Sequence, residues 1–233
     1  MNIQINNLKK NYGENTVLNI PVLSLNEGEI IGLVGNNGAG KTTLMRLILD
    51  LIQATDGKVL NDGHDVTSDP VWKEYTGSFI DDSFLIDFYT PEEFFDFIAE
   101  VYGIEKEEMH NRLNEYEELM AGEVLGTGKL IKEFSMGNRQ KIGIIGAMVI
   151  NPRFLILDEP FNYLDPSSQI LVARMLENMN RTYGTTILIS SHNLASVTDI
   201  CTRILLLEKG VMIKDLANEP GSTLHELEEY FSH

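Results

Sequence analysis

The chain of 233 residues contains a single cysteine, Cys201, which excludes an internal disulfide and fits a reducing compartment. Cys201 closes an apolar-periodic stretch at 194–201, where a small buried hydrophobe is expected rather than a reactive thiol. Positive charge is scarce: 18 Lys and Arg against 35 Asp and Glu leave a formal net charge of −17. Such a surface repels phosphate backbones and anionic lipid, which argues against nucleic acid or a membrane surface as the main partner. Long apolar runs are missing too. The longest, at 142–150, falls far short of the roughly 20 residues that span a bilayer. The start, MNIQINNLKKNYG, lacks the apolar centre of a signal peptide. There is no internal repeat and no low-complexity tract. The expectation is a cytosolic protein with no direct membrane insertion.

What is present is a globular composition, 43% hydrophobic and 23% charged, long enough for one α/β domain with an inserted subdomain. Residues 2–8 and 16–25 alternate or run apolar around Tyr12-Gly13, and 57–63 reads as a strand ending in an Asp-Gly turn. From Thr90 the period lengthens. Thr90-Pro91-Glu92-Glu93 supplies an N-cap, a first-turn proline and a capping-box acid for a helix through Tyr102. A second helix is expected over 106–120, with Met109, Leu113, Tyr116 and Met120 on its core face. Gly122, Gly126 and Gly128 then break the pattern, so 82–135 reads as a helical insertion. Between Asp82 and Glu133 stand 14 acids and 4 bases, either a solvated face or a docking surface for a basic partner element. Beyond it, 142–150 reads as an apolar helix, 154–157 and 186–189 as buried parallel strands, 204–207 and 211–213 as a hairpin, and 223–231 as a short acidic helix.

Residues 35–42, GNNGAGKT, fill the pattern of a phosphate-cradling loop, with an apolar run before them (30–34) and an amphipathic stretch after (43–49). Glycines let the backbone wrap phosphate oxygens, while the N–H groups and the positive helix end favour an anion. The nucleotide-binding candidates here are Gly35, Asn36, Asn37, Gly38, Ala39, Gly40, Lys41, Thr42 and Thr43. Lys41 is expected to reach the β and γ phosphates and the Thr42 hydroxyl to ligate Mg²⁺. Downstream, Phe154-Leu155-Ile156-Leu157-Asp158-Glu159 delivers two carboxylates to a strand end, where ligands bind in open α/β sheets. Asp158 can hold the magnesium through water, and Glu159 can accept a proton from water attacking the γ-phosphate. His192 ends another apolar run and falls near the same edge.

Phe134-Ser135-Met136-Gly137-Asn138-Arg139-Gln140-Lys141 resembles the LSGGQ-type signature of ATP-binding cassette proteins, and nearly the whole chain aligns with that family. The resemblance implies a P-loop α/β core with a mostly parallel sheet, an N-terminal antiparallel β subdomain and an inserted α-helical subdomain. On that reading 1–233 is one domain, with 1–81 and 136–233 as the core and 82–135 as the insertion. It implies that Tyr12 stacks on adenine with Val17 beside it, and that Ser135, Met136, Gly137 and Asn138 close over ATP held by a partner subunit. It also implies that Leu164 and Asp165 lie on the loop crossing to that partner, and that His192 is a switch histidine at the γ-phosphate.

Three positions depart from the family pattern. Met136 stands where glycine is usual, so its side chain could misplace backbone near phosphate. Asn138 stands where glutamine is usual. Asp81 occupies the place of a glutamine, from which its carboxylate would reach Mg²⁺ or its water. The short acidic insertion resembles that of exporter cassettes serving separately encoded membrane subunits. The implied protein is a Mg-ATP-hydrolysing subunit that dimerises head to tail, two copies around two ATP molecules. Transmembrane permease subunits would hold it at the inner face of the membrane and contact it near 81–88. A soluble assembly or scaffold ATPase, or a weakly hydrolysing regulatory cassette, stays open on the sequence.

Overall fold

A computed structural model describes residues 2–219 and 221–231. Two strands, β1 (Ile3–Tyr12) and β2 (Asn15–Leu25), form an antiparallel hairpin. The chain then enters β3 (Ile30–Val34), the phosphate loop and helix α1 (Lys41–Ile48). Strands β4 (Asp56–Asn61) and β5 (His64–Asp65) turn at Asp62-Gly63 as expected and join the hairpin in a four-stranded antiparallel sheet, ordered β2-β1-β4-β5. A 3₁₀ turn over Pro70–Tyr75, capped by Asp69, leads to β6 (Thr76–Phe79).

The helical segment follows: α2 (Pro91–Tyr102), α3 (Lys106–Asn114) and α4 (Glu117–Met120). The capping box at Thr90 forms as the sequence implies, with Thr90 Oγ1 accepting from Glu93 N–H and the Glu93 carboxylate accepting from Thr90 N–H. The single helix expected over 106–120 is in fact two. Its backbone tightens to i→i+3 hydrogen bonds at Glu115 and Tyr116, which turns the Tyr116 ring into the core beside Leu113 and Leu119. The core face was read correctly even so, since Met109, Leu113, Tyr116 and Met120 are all buried.

Helix α5 (Met136–Met148) is longer than its apolar stretch suggests. Strand β7 (Phe154–Leu157), helix α6 (Pro166–Tyr183), β8 (Thr186–Ser191), α7 (Leu194–Ile200), the hairpin β9 (Arg203–Glu208) and β10 (Val211–Ala217), and α8 (Ser222–Phe231) complete the chain. The second sheet has six strands ordered β10-β9-β3-β8-β7-β6, parallel throughout except at β10.

Successive strand residues face opposite sides, so a strand covered on both faces must be apolar at every position. Leu155 and Leu157 of β7 join the core beneath α5, α6 and the helical segment, whereas Phe154 and Ile156 join the core beneath α1 and the antiparallel sheet. Ile204 and Leu206 of β9 divide from Leu205 and Leu207 in the same way. Cys201 is buried, and burial pushes its thiol well above the ordinary range, as expected of a packing residue.

This two-sided burial carries the ends of β3, β7 and β8 to one edge and presses α5 onto the sheet. Gly143 makes that contact possible, because a Cβ there would lie 2.2 Å from the Phe79 ring. Gly143→Ala should therefore destabilise the fold by about 1–3 kcal/mol through overpacking. A urea melt checks this, with a lowered midpoint as the expected result.

Candidate functional site

The phosphate loop leaves β3 at Gly35, where a Cβ would collide with the Leu207 carbonyl oxygen at 2.2 Å. It enters α1 through Gly40, which has φ 108° and no side chain to cap the helix. The first-turn N–H groups of α1 are thus left facing outward as donors for an anion. A cavity of about 270 Å³ forms against them, lined by Val17, by every residue from Asn36 to Thr43, and by Glu159. Tyr12, at the end of β1, is exposed outside that lining with the Lys10 ammonium 4.8 Å from its ring centroid.

Strand β7 brings Asp158 and Glu159 to the same place. The Thr42 hydroxyl donates to Asp158 Oδ2 and the Ser190 hydroxyl to Asp158 Oδ1. Burial raises the Asp158 carboxyl above its ordinary range; the hydrogen bonds from Ser190 and Thr42 oppose this, the Glu159 charge adds to it, and the Lys41 charge opposes it. Lys41, itself buried, donates to the Gly35 carbonyl at 2.7 Å and lies 3.4 Å from Glu159 Oε1. The other Glu159 oxygen is 2.9 Å from His192 Nδ1 and accepts from the His192 N–H at 3.3 Å. Glu159 sits at φ 48°, in the left-handed region that costs a residue with a Cβ, and such strain gathers at functional sites.

The residues predicted around the phosphate loop therefore meet: Lys41, Thr42, Asp158, Glu159 and His192 form one connected cluster. His192 reaches it through Glu159. Two members escaped the sequence reading. Ser190 is fully buried, accepts from Glu159 N–H at 2.8 Å and donates to Asp158, so it ties the two carboxylates together. Gln140 of α5 donates to the carbonyls of Glu159 and Pro160 at 3.3 and 3.2 Å. Ser190 follows the apolar run of β8 directly, whereas Gln140 stands between Arg139 and Lys141 with no local signal.

Asp81 stands apart. Its Oδ2 accepts from Arg46 at 2.7 Å and its Oδ1 from Ser83 N–H at 2.9 Å, so both oxygens are engaged away from Thr42 and Asp158. Hydrogen bonds from Ser83 and Arg46 outweigh partial burial and hold this carboxyl below its usual range. Of the three metal candidates, Asp81 is paired with Arg46, whereas Thr42 and Asp158 touch each other. Both are oxygen donors, and so few protein ligands suit Mg²⁺, which keeps waters and takes substrate phosphate oxygens for the rest. Among the described residues no group of three or more His, Cys, Asp or Glu gathers as a metal cage.

Ser135 caps α5, its hydroxyl accepting from Asn138 N–H at 3.2 Å. Met136 is 46% exposed at this end. Gly137 is the tight position, where a Cβ would lie 2.8 Å from the Tyr163 carbonyl oxygen. A separate cavity of about 420 Å³ is lined by Glu123, Ser135, Met136, Gly137, Asn138, Lys141, Tyr163, Leu164 and Asp165. It shares no residue with the phosphate-loop cavity. Within the loop following Glu159, Leu164 is buried in the core, and Asp165 caps α6 by accepting from Ser168 N–H at 3.0 Å. Tyr163, at φ 64°, also projects from this loop and is 66% exposed.

Comparison with known proteins gives a family match over residues 18–162 to the model described as ABC transporter. A second match, over residues 130–198, is to a model described as AAA domain, putative AbiEii toxin, Type IV TA system. The chain is 30% identical over 229 residues to the lantibiotic transport ATP-binding protein SrtF of Streptococcus pyogenes, covering 97% of this chain and 95% of that one. A solved ATP-binding subunit of an ABC transporter superposes with a TM-score of 0.89 at 25% identity, over the full length of both chains. The dimeric structure of MJ0796, a bacterial ABC transporter cassette, superposes with a TM-score of 0.82 at 23% identity over 93% of this chain and 99% of that one. That last likeness is one of fold.

Ser190→Ala would leave the buried Glu159 N–H and one Asp158 oxygen without a partner. The expected cost is about 1–3 kcal/mol of stability, read as a lowered midpoint in urea. An unchanged midpoint would mean that the hydroxyl carries no such burden.

Proposed function

Taking as premise that this chain belongs to the ABC transporter family, as an ATP-binding and ATP-hydrolysing subunit, we propose that two copies pair head to tail and drive separate transmembrane subunits in export. The observation that carries the pairing is the separation of two anion-binding helix ends into two cavities without a common residue. Each cavity offers half of what a triphosphate needs. The phosphate loop supplies the Lys41 cation and the backbone cradle. The end of α5 supplies first-turn N–H groups behind Ser135, with Tyr163 projecting beside it. A second copy rotated by half a turn would set one half against the other, twice.

Within each site Lys41 would draw the β and γ phosphates against the α1 N-terminus, and Tyr12 and Val17 would receive the base. Glu159 is placed to accept the proton of the attacking water. His192 holds Glu159 Oε2, and Ser190 and Gln140 hold the backbone around it, so the base does not swing when the ligand arrives. Thr42 and Asp158 would hold Mg²⁺, which offsets charge on the phosphate oxygens.

The transmembrane partner has a candidate place on the acidic helical segment. A groove of about 610 Å³ runs along α2, lined by Tyr89, Glu93, Asp96, Phe97, Glu100 and Glu105 among others, and Phe88 beside it is 71% exposed. Exposed aromatics among carboxylates suit an amphipathic basic segment better than a merely solvated face. Among the described residues no helix is long and apolar enough to cross a membrane. Export is inferred from likeness to a lantibiotic transport protein that matches almost end to end. The weakly hydrolysing alternative keeps its motive in Met136, which lines the cavity at the end of α5.

Glu159→Gln should lower ATP turnover by about 10²–10⁴-fold, the usual worth of a positioned general base. It should also retain ATP and trap the dimer. Phosphate release and size-exclusion chromatography with and without Mg-ATP measure both. Parental turnover by this variant would remove Glu159 from the role of base.

A further inference from the structure

Asp81 and Asp82 are consecutive carboxylates after β6, and each takes an arginine from a different helix. Arg46 stands one turn beyond Thr42 on the same face of α1 and places Nη2 2.7 Å from Asp81 Oδ2. Arg139 follows Asn138 on α5; its Nε lies 3.0 Å from Asp82 Oδ2, and its Nη1 lies 2.8 Å from Asp87 Oδ1 and 3.3 Å from the Ile131 carbonyl oxygen. The Arg139 side chain is only 12% exposed, and that of Arg46 is 42% exposed. Asp81 is further fixed as the N-cap of a one-turn 3₁₀ helix over Asp82–Phe84, its Oδ1 accepting from Ser83 N–H. The Phe84 ring stands edge-on to Phe79 of β6, at 6.5 Å between centroids. The 81–87 segment is thus pinned at three points, one on each of two helices and one on the sheet.

We propose that Arg46 is a positioning residue for hydrolysis that acts through Asp81. The chain of contacts Arg46–Asp81–Asp82–Arg139 sets the disposition of the phosphate-loop helix relative to the Ser135 end of α5. The proposal rests on the paired-copy reading given above. Both helix ends must be presented together for each copy to complete the other's site, and a charge link between them holds that presentation. With its carboxylate held by Arg46 and Ser83, Asp81 serves as a strut.

The test compares wild type with Arg46→Ala, Asp81→Ala, the double variant, and the exchange Arg46→Asp with Asp81→Arg. Turnover, KM for Mg-ATP, Mg²⁺ dependence and the Kd of a fluorescent ATP analogue are measured for each. Amide hydrogen exchange is followed over 82–139, and melting temperature is recorded to exclude failure to fold. Each single variant should lower kcat about three- to fivefold, the range of a partly exposed ion pair, with nucleotide Kd and Mg²⁺ requirement unchanged. The double variant should be no worse than the poorer single, and the exchange should recover most of the loss. Exchange in the first turn of α5 should quicken in Arg46→Ala although that residue lies on another helix. Additive losses in the double variant would overturn the proposal. So would a raised Mg²⁺ requirement in Asp81→Ala alone, which would return Asp81 to the metal. Absence of turnover in the wild type would instead sink the reading on which the proposal rests.

Discussion

Two carboxylates stand side by side at the end of a buried strand, and the rest of the site is arranged around compensating them. A carboxylate taken from water without partners is costly. Asp158 is met by hydroxyls of Thr42 and Ser190, and Glu159 by Lys41 and His192 on opposite oxygens. These partners come from α1, β8 and the turn after β8, so the pair is compensated only when the parallel sheet is assembled. Lys41 and Thr42 also belong to the loop that cradles phosphate. The charge balance of the carboxylates and the reception of an anion are therefore one problem solved by the same residues. The left-handed backbone at Glu159 is held by Ser190 and Gln140, which ties the reactive carboxylate to both β8 and α5.

The sheet makes this possible because every residue of β7 is buried on one face or the other. A slip of this all-apolar strand would draw the Asp158 carboxylate under the cover without its partners, so Asp158 is fixed where the strand leaves its cover. α5 contributes twice: its interior glycine lets it press on Phe79, and its N-terminus opens the second anion-binding end. The strut through Asp81 and Asp82 connects that end to α1. One short segment after β6 thereby touches both halves of a divided site, on the edge nearest the acidic groove.

Much of this was legible in the residues themselves. The phosphate loop, the strand ending in Asp158-Glu159 and the capping box at Thr90 are local patterns whose chemistry depends on near neighbours, and each formed as read. The helix over 106–120 kept its core face but broke at Glu115, because 3.6-residue periodicity does not distinguish a continuous helix from two joined by a tight turn. The longest helix, α6, was missed: Asp165-Pro166 and Gly184 bracket it, yet its exposed face diluted the apolar pattern. What sequence could not assign were pairings across long separations. Ser190 meets Glu159 across 31 positions, Gln140 across 19, and Arg46 meets Asp81 across 35. Asp81 was expected on the metal from the family resemblance, and its pairing with an arginine one turn past Thr42 could not be read from the sequence. Leu164 and Asp165 were assigned by the same resemblance; Leu164 packs in the core and Asp165 caps α6, and both line the cavity at the end of α5.

The central claim is that each ATP site is completed by a second copy of this chain, with the phosphate loop of one facing the Ser135 end of the other. Mixing two inactive variants tests it most directly. Lys41→Ala disables the phosphate loop, and Ser135→Arg blocks the end of α5. In a mixed pair both defects fall in one site and the other site is whole. The account predicts that the mixture hydrolyses ATP well above either variant alone, with turnover rising and then falling as the ratio is varied. A mixture no more active than its components, at concentrations where wild type is active, would contradict it.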